Sequence, residues 1–412
     1  MKRYKILITA IHCAPEKGSE HGVGWNFFKG ISEFHDVILI CNDHLYIQGV
    51  KDFINSEEGK KRNIQLYLVK RKGEYQGLTR FFPFFYYKAY KKWQKNVFNL
   101  VCKLIETDKI DIIHHITNIT FREPGYLWKL DKPFVWGPIS ILGYEPIRFL
   151  SVFNWKEGIK NILRRITCLF QINFSKRIKK AVSKTVAPIC VSSREVKILK
   201  NKFGVDRAYI MPDTGGIIAK LPPPKMRSEY EQIQLLWSAG FESRKGIYFL
   251  IRALRIIQKE NAIKYKLILV GDGYERKKTV SFCEKNSINY EYKGYLPHDE
   301  MFELYYKSHL FFLTSLSDAT TSTLFESLSN YCPVIALNHL SFSEIVDKTC
   351  GRKVELTNKK QISYDIAQYI TFFYYNESER YNLVLGARKK AEEYSWENKI
   401  KMINCIYDSI MN

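Results

Sequence analysis

The sequence predicts two α/β domains, each built on a doubly wound parallel sheet, facing one another. Three observations lead there. Short apolar runs alternate with longer helical patterns, as parallel strands joined by crossover helices require. A stiff segment without regular hydrogen-bonding capacity, Leu221-Pro222-Pro223-Pro224-Lys225, separates two such series. The length of 412 residues suits two domains better than one large core.

The chain opens on Lys2-Arg3 and an apolar stretch from Ile6 to Ala14, which imitates a signal peptide. The stretch is short and a glycine-rich segment follows at once, so it reads as a first buried strand. Strands are expected at Lys5–Ala10, Asp36–Cys41, Ile64–Val69, Ile110–His114, Pro133–Trp136 and Ala187–Val191 in the first half. In the second half they are expected at Ile233–Ser238, Tyr265–Val270, Ile288–Lys293, Leu310–Leu313 and Pro333–Leu337. Near-continuous apolar runs of this kind mark strands covered on both faces. The proline segment is the expected linker.

Composition narrows the function. At 46% hydrophobic and 26% charged residues the chain is globular. Its 64 Lys and Arg against 42 Asp and Glu leave a formal charge of +22, and it carries 27 Tyr and 26 Phe. Residues 51–100 and 151–200 together supply 18 of that excess, and both fall in the expected first domain. A basic, aromatic-rich surface points to an anionic partner: nucleic acid, an acidic membrane or a phosphorylated substrate. The nine cysteines are scattered and never spaced C-x-x-C, which argues against a zinc site and a disulfide scaffold and fits a reducing cytosol. No apolar run reaches the roughly 18 residues of a membrane span.

Several motifs sit where parallel sheets place ligands. Gly18-Ser19-Glu20-His21-Gly22-Val23-Gly24-Trp25 follows the first strand. Such glycines serve either a tight turn or a backbone that approaches a phosphate. Ser243-Arg244-Lys245-Gly246 precedes the helical pattern Ile247–Ile257; it is a solvated turn or a cationic site for a diphosphate at a helix N-terminus. Gly271-Asp272-Gly273 is a strand-end turn. Asp318 and Glu326 flank a Thr-rich helix start, where acids are favoured in any case and where carboxylates can accept hydrogen bonds from sugar hydroxyls. His114-His115 end a strand, the usual ligand edge of an open α/β sheet. No Asp-x-Asp occurs. Arg80 to Trp93, with Lys88, Lys91 and Lys92, mixes rings and cations, and so does 155–184 with Arg164 and Arg165. Such stretches are solvated faces, membrane-surface segments or single-strand nucleic-acid binders.

In order and spacing these pieces resemble a family-4 glycosyltransferase of the branch acting on bacterial surface polysaccharides. The resemblance runs from Pro15-x-x-Gly18-Ser-Glu-x-Gly-x-Gly-Trp25 through His114-His115-x-Thr117, Phe134-Val-Trp-Gly-Pro138 and Trp237-Ser238 with Arg244-Lys245. It continues through Gly294-Tyr295-Leu296-Pro297, the Asp318/Glu326 pair, Pro333-Val334-Ile335 and Tyr394-Ser-Trp396. Many relatives carry arginine where this chain has Gly240.

The resemblance implies a GT-B fold: two Rossmann-like domains around a cleft, residues 1–212 on the acceptor side and 228–395 holding the donor. A helix at 396–412 is expected to cross back onto the first domain. It further implies a nucleotide-diphosphate sugar (UDP- or GDP-linked) as co-substrate, a retained anomeric configuration, no cofactor and no bound metal. Lys245 and Arg244 then neutralise the diphosphate, Asp318 contacts the sugar together with one histidine of the His114-His115 pair, His115 being the better match, and Glu326 holds the ribose. Gly22, Gly24, Gly271, Gly294, Tyr295 and Leu296 line the donor. The expected acceptor is a lipid-linked or oligosaccharide chain at the inner face of the cytoplasmic membrane. Arg80, Lys88, Lys91, Lys92, Trp93, Arg164 and Arg165 are the expected acceptor and membrane contacts, and nucleic acid is not an expected partner. The alternatives are a non-catalytic basic protein on membrane or nucleic acid, which leaves the acid pair unexplained, and a sugar-nucleotide epimerase on the same fold.

Overall fold

The computed structural model describes residues 2–15, 18–71, 83–141, 146–260 and 263–412, with backbone only at residue 19 and residues 83–85. The chain forms two units. The first comprises Met1–Leu142, Thr167–Thr214 and Trp396–Asn412; the second comprises Gly143–Ile166 and Gly215–Ser395.

The first unit is built on β1 (Lys5–Ala10), β2 (Asp36–Cys41), β3 (Ile64–Leu68), β4 (Ile112–Thr117), β5 (Phe134–Ile139), β6 (Thr185–Cys190) and β7 (Tyr209–Ile210). All pair in parallel, in the order β3-β2-β1-β4-β5-β6-β7. Ile6 lies between Val37 of β2 and Ile112 of β4, so β1 is covered on both edges and both faces, as its apolar run requires. The direction of winding reverses between β1 and β4, where such sheets leave a crevice at their C-terminal edge.

The C-terminal helix Trp396–Met411 packs on this unit, burying Ile400, Ile403, Ile406 and Tyr407 with Phe27 and Phe28. Gly30 permits the close approach, since a Cβ there would stand 2.4 Å from Ile400 Cγ1. His114 fastens it: its Nε2–H donates to the Gly137 carbonyl at 3.0 Å, and its Nδ1 accepts from the Tyr407 hydroxyl at 2.7 Å. Burial holds His114 at a pKa of about 3, so it stays neutral in this role.

The second unit is built on β8 (Ile233–Ser238), β9 (Tyr265–Val270), β10 (Tyr290–Gly294), β11 (Leu310–Leu313), β12 (Val334–Leu337) and β13 (Gly351–Val354), in the order β10-β9-β8-β11-β12-β13. Every pairing is again parallel. Leu235, Trp237, Leu267 and Phe312 pack under helices Ile247–Glu260 and Lys359–Tyr375. Its switch point lies between β8 and β11.

Two expectations are corrected. Residues 143–166 group with the second unit, not the first. The proline segment is no linker: the change of unit falls between Thr214 and Gly215, and Tyr331 and Tyr306 hydroxyls donate to the carbonyls of Leu221 (3.0 Å) and Pro222 (3.2 Å) within the second unit.

Candidate functional site

At the end of β8 the chain makes one tight turn, Ser243–Lys245, closed by Gly246 at φ +67°. A Cβ on Gly246 would stand 2.1 Å from the Thr314 carbonyl, so both the left-handed backbone and the close approach demand glycine. The segment after β11 is stitched to this turn. Leu316 N–H donates to the Arg244 carbonyl at 2.7 Å, and the Thr314 hydroxyl donates to the Lys245 carbonyl at 2.9 Å while accepting from Trp237 Nε1 at 3.3 Å.

That stitching brings Asp318 onto both cations. Its carboxylate accepts from Lys245 Nζ at 2.7 and 3.0 Å, from an Arg244 terminal nitrogen at 2.8 Å and from the Ser315 hydroxyl at 2.5 Å. Arg244 Nε donates to Glu242 at 2.5 Å. Burial alone would raise the Asp318 carboxyl, but the Lys245 and Arg244 charges outweigh it and hold it below the ordinary carboxylate range. For Arg244, burial works against the charge and Asp318 and Glu242 more than restore it. The side chains remain 14% (Asp318), 16% (Lys245) and 36% (Arg244) exposed, so solvent reaches the cluster. Two cations balanced by two carboxylates at a switch point can exchange a carboxylate for an incoming anion.

The stem of the turn has further support. Ser243 N–H donates to the Tyr274 oxygen at 2.8 Å, Ser243 Oγ donates to Glu275 at 2.9 Å, and the Tyr274 hydroxyl donates to Glu157. Burial, then the Glu157 contact, pushes Tyr274 up to about 12.

Glu326 stands on helix Ser322–Ser329, half-buried, with the Tyr305 hydroxyl donating to it at 3.3 Å. Burial raises its pKa, and Ser322, His298 and Tyr305 pull it only partly back. Gly271 (φ +114°) and Gly294 (φ +67°) are joined, the Gly271 N–H donating to the Gly294 carbonyl at 2.7 Å. A Cβ on Gly271 would meet the Ala239 carbonyl at 2.1 Å, so this glycine closes the β8 and β9 ends on each other. Tyr295 is 88% exposed beside them, and Leu296 packs on the core.

In the first unit the glycine-rich segment is not a loop. Helix Ser19–Phe34 begins at its start, so Gly22 and Gly24 are helical. Gly24 is needed for packing, because a Cβ there would stand 2.0 Å from the His12 carbonyl. His115 is buried against Thr9 Oγ1 at 2.7 Å, and burial holds its pKa at about 4. The residue is 3% exposed, and its Nε2 is buried. Trp93 is a core residue, 2% exposed, donating to the Val69 carbonyl at 2.7 Å, and is no surface contact. Lys88, Lys91 and Lys92 are exposed, Lys91 facing Glu123 at 3.4 Å, while Arg164 and Arg165 are half-buried. Arg80 lies outside the described residues.

Glu20 went unremarked in the sequence beyond its place in the motif. Its Oε2 is 3.7 Å from His12 Nε2, and its Oε1 accepts weakly from Ile119 N–H at 3.4 Å. Burial, with Asp213 adding to it against the Ile119 N–H, pushes Glu20 up to about 7. Burial, then His21, Arg71 and His44, hold His12 at about 3, so no ion pair forms at neutral pH. A carboxyl raised in the folded state binds its proton there longer than in the unfolded chain, so its ionisation removes stability as pH climbs from the ordinary range through about 7. Glu20→Gln is therefore expected to melt higher than wild type at pH 8 and like wild type near pH 4; equal shifts at both pH values would show that Glu20 does not titrate there. Glu242 and Ser315 were missed as well, although each stands within three residues of a predicted site residue. Tyr305 and Tyr274 offered no sequence signal.

Among the described residues no three His, Cys, Asp or Glu side chains form a group able to hold a metal ion. No described helix is long and apolar enough to cross a membrane. Residues 223–390 match the family model of the group 1 glycosyl transferases. No curated protein sequence matches the chain. Among solved structures it is similar to a glycosyltransferase from Rickettsia africae, at 15% identity and TM-score 0.64 over 100% of both chains. It is also similar to a sucrose-phosphate synthase from Thermosynechococcus elongatus, at 13% identity and TM-score 0.64 over 99% of each chain. HepE from Anabaena, solved with UDP and glucose, matches at 14% identity and TM-score 0.60 over 99% of this chain and 100% of that one. At these identities the likeness is one of fold, the two-Rossmann-domain GT-B type.

Proposed function

We propose that the protein is a retaining glycosyltransferase that moves a hexose from a UDP- or GDP-linked donor to a lipid-linked saccharide in surface-polysaccharide assembly, at the inner face of the cytoplasmic membrane. One observation carries the reading: the Arg244–Lys245–Asp318 cluster stands at the switch point of a sheet inside the segment that matches the group 1 glycosyl transferases.

The arriving diphosphate takes over the Lys245 and Arg244 contacts, and Asp318, released from them, accepts from a hydroxyl of the sugar. Glu326 accepts from the ribose hydroxyls. As the bond from sugar to phosphate breaks, negative charge grows on the leaving diphosphate, where two preorganised cations contribute most. The acceptor oxygen attacks from the same face and its proton passes to the leaving phosphate oxygen, so no protein base is called for. The cations supply the neutralisation that a divalent metal would otherwise give.

The test is thermal: a panel of UDP- and GDP-sugars is added to the protein in EDTA. The matching donor at about a hundred times its dissociation constant should raise the melting temperature by about 2–4 °C. Transfer to a saccharide acceptor should then proceed in EDTA. Stabilisation or turnover seen only with magnesium or manganese would refute the metal-free reading, and a free epimerised sugar nucleotide as sole product would favour an epimerase.

A further inference from the structure

Helix Trp155–Phe174 turns its apolar side outward. Trp155, Ile159, Leu163, Ile166, Phe170 and Phe174 are 51–71% exposed. At 100° per residue all six fall within an arc of roughly 100°. Cys168 and Ile172, on the other side of the helix, are buried. A surface helix of a globular protein shows the reverse arrangement, with its apolar stripe inward. Exposed apolar area of this continuity marks an interaction surface.

We propose that this helix docks the protein on an anionic lipid bilayer by sinking its apolar stripe among the acyl chains. Charge selects that occupant. Lys156 and Lys160, both exposed, border one edge of the stripe at the level of lipid headgroups, and Arg165 lies beyond the other. The only acid on the helix, Glu157, accepts from Tyr274. Residues 151–200 hold 12 basic and 2 acidic side chains. A second copy of the chain would bring the same positive edge against this one, whereas phosphatidylglycerol-type headgroups complement it. Nucleic acid could satisfy the charges and stack on Trp155, Phe170 and Phe174, but it would leave Ile159, Leu163 and Ile166 in water. Charge attraction by itself would fade as salt rises, whereas an inserted stripe is expected to hold at high salt. The inference deepens the membrane part of the proposed function and is independent of the donor chemistry.

Sedimentation of the full chain with phosphatidylcholine vesicles containing about 30% phosphatidylglycerol tests it, at about 0.1 and about 0.5 M salt. Wild type is expected to stay vesicle-bound with only a few-fold loss at the higher salt. Ile159→Asp with Ile166→Asp, both at exposed positions, should lose binding at least tenfold at either salt while melting like wild type. UDP or GDP affinity should be unchanged in that variant, which separates this inference from the donor reading. Vesicles with brominated acyl chains should quench wild-type fluorescence more than that of Trp155→Phe. Binding that vanishes at high salt and is indifferent to the aspartates would overturn insertion. So would a lipid-free wild-type dimer that the aspartates dissolve, or displacement of vesicles by single-stranded DNA at both salts.

Discussion

Lys245→Ala should cut transfer by about 10²–10³-fold, the usual loss when one preorganised group facing a developing oxyanion is removed. Lys245 stands 2.7 Å from Asp318 and is only 16% exposed, so its charge acts where water screens weakly. Its removal leaves Arg244 between two carboxylates, Asp318 and Glu242, and turns a balanced cluster net negative. The diphosphate then meets repulsion in the ground state as well as poorer support in the transition state. Affinity for the free nucleotide should fall along with turnover. The fold should survive, because Asp318 keeps Arg244 and Ser315. Lys245→Arg is a poor rescue, since a planar fork cannot replace a point charge inside this packing. Wild-type turnover in a normally melting Lys245→Ala protein would show that the lysine only holds the loop.

The two acids should part company. Glu326→Gln keeps the shape but loses charge-assisted hydrogen bonds of about 1.5–3 kcal/mol each, so free nucleotide and intact donor should both bind roughly 10–100-fold more weakly. Because burial raises the Glu326 carboxyl, wild-type nucleotide affinity should decline as pH falls toward that raised value, and the glutamine variant should lose that dependence. On the proposed reading Asp318 contacts the sugar instead, so Asp318→Asn should lower turnover up to about a hundredfold if that contact tightens at the transition state. Asp318 is also bound to Lys245 and Arg244, the cations proposed for the diphosphate, so its replacement should alter free nucleotide affinity as well.

Much of the fold was legible. β1, β2, β8, β9 and β11 coincide with their apolar runs, since a strand buried on both faces announces itself by composition. β13 was missed because Arg352 and Lys353 make up half of this four-residue edge strand, and β7 is only two residues long. The contact of Lys245 with Asp318, 73 residues on, depends on β11 lying beside β8, which no local pattern encodes. The two aromatic, basic segments show the limit most clearly. In helix Pro83–Thr107, Tyr90, Trp93, Val97 and Val101 recur at helical spacing and form a buried seam. In helix Trp155–Phe174 an equally regular stripe faces solvent. Periodicity shows that a helix has an apolar face; what lies against that face is decided by the rest of the chain.

On the proposed reading Asp318 holds Lys245 and Arg244 ready for a nucleotide diphosphate. Calorimetric titration of free UDP and GDP into wild type and Asp318→Asn decides whether it does. Removing the carboxylate's charge releases Lys245 and leaves Arg244 with Glu242 alone, so the cluster turns net positive and the variant is expected to bind the cognate nucleotide several-fold more tightly, with the difference shrinking as salt rises. Unchanged or weaker binding, in a variant that melts like wild type, would contradict it.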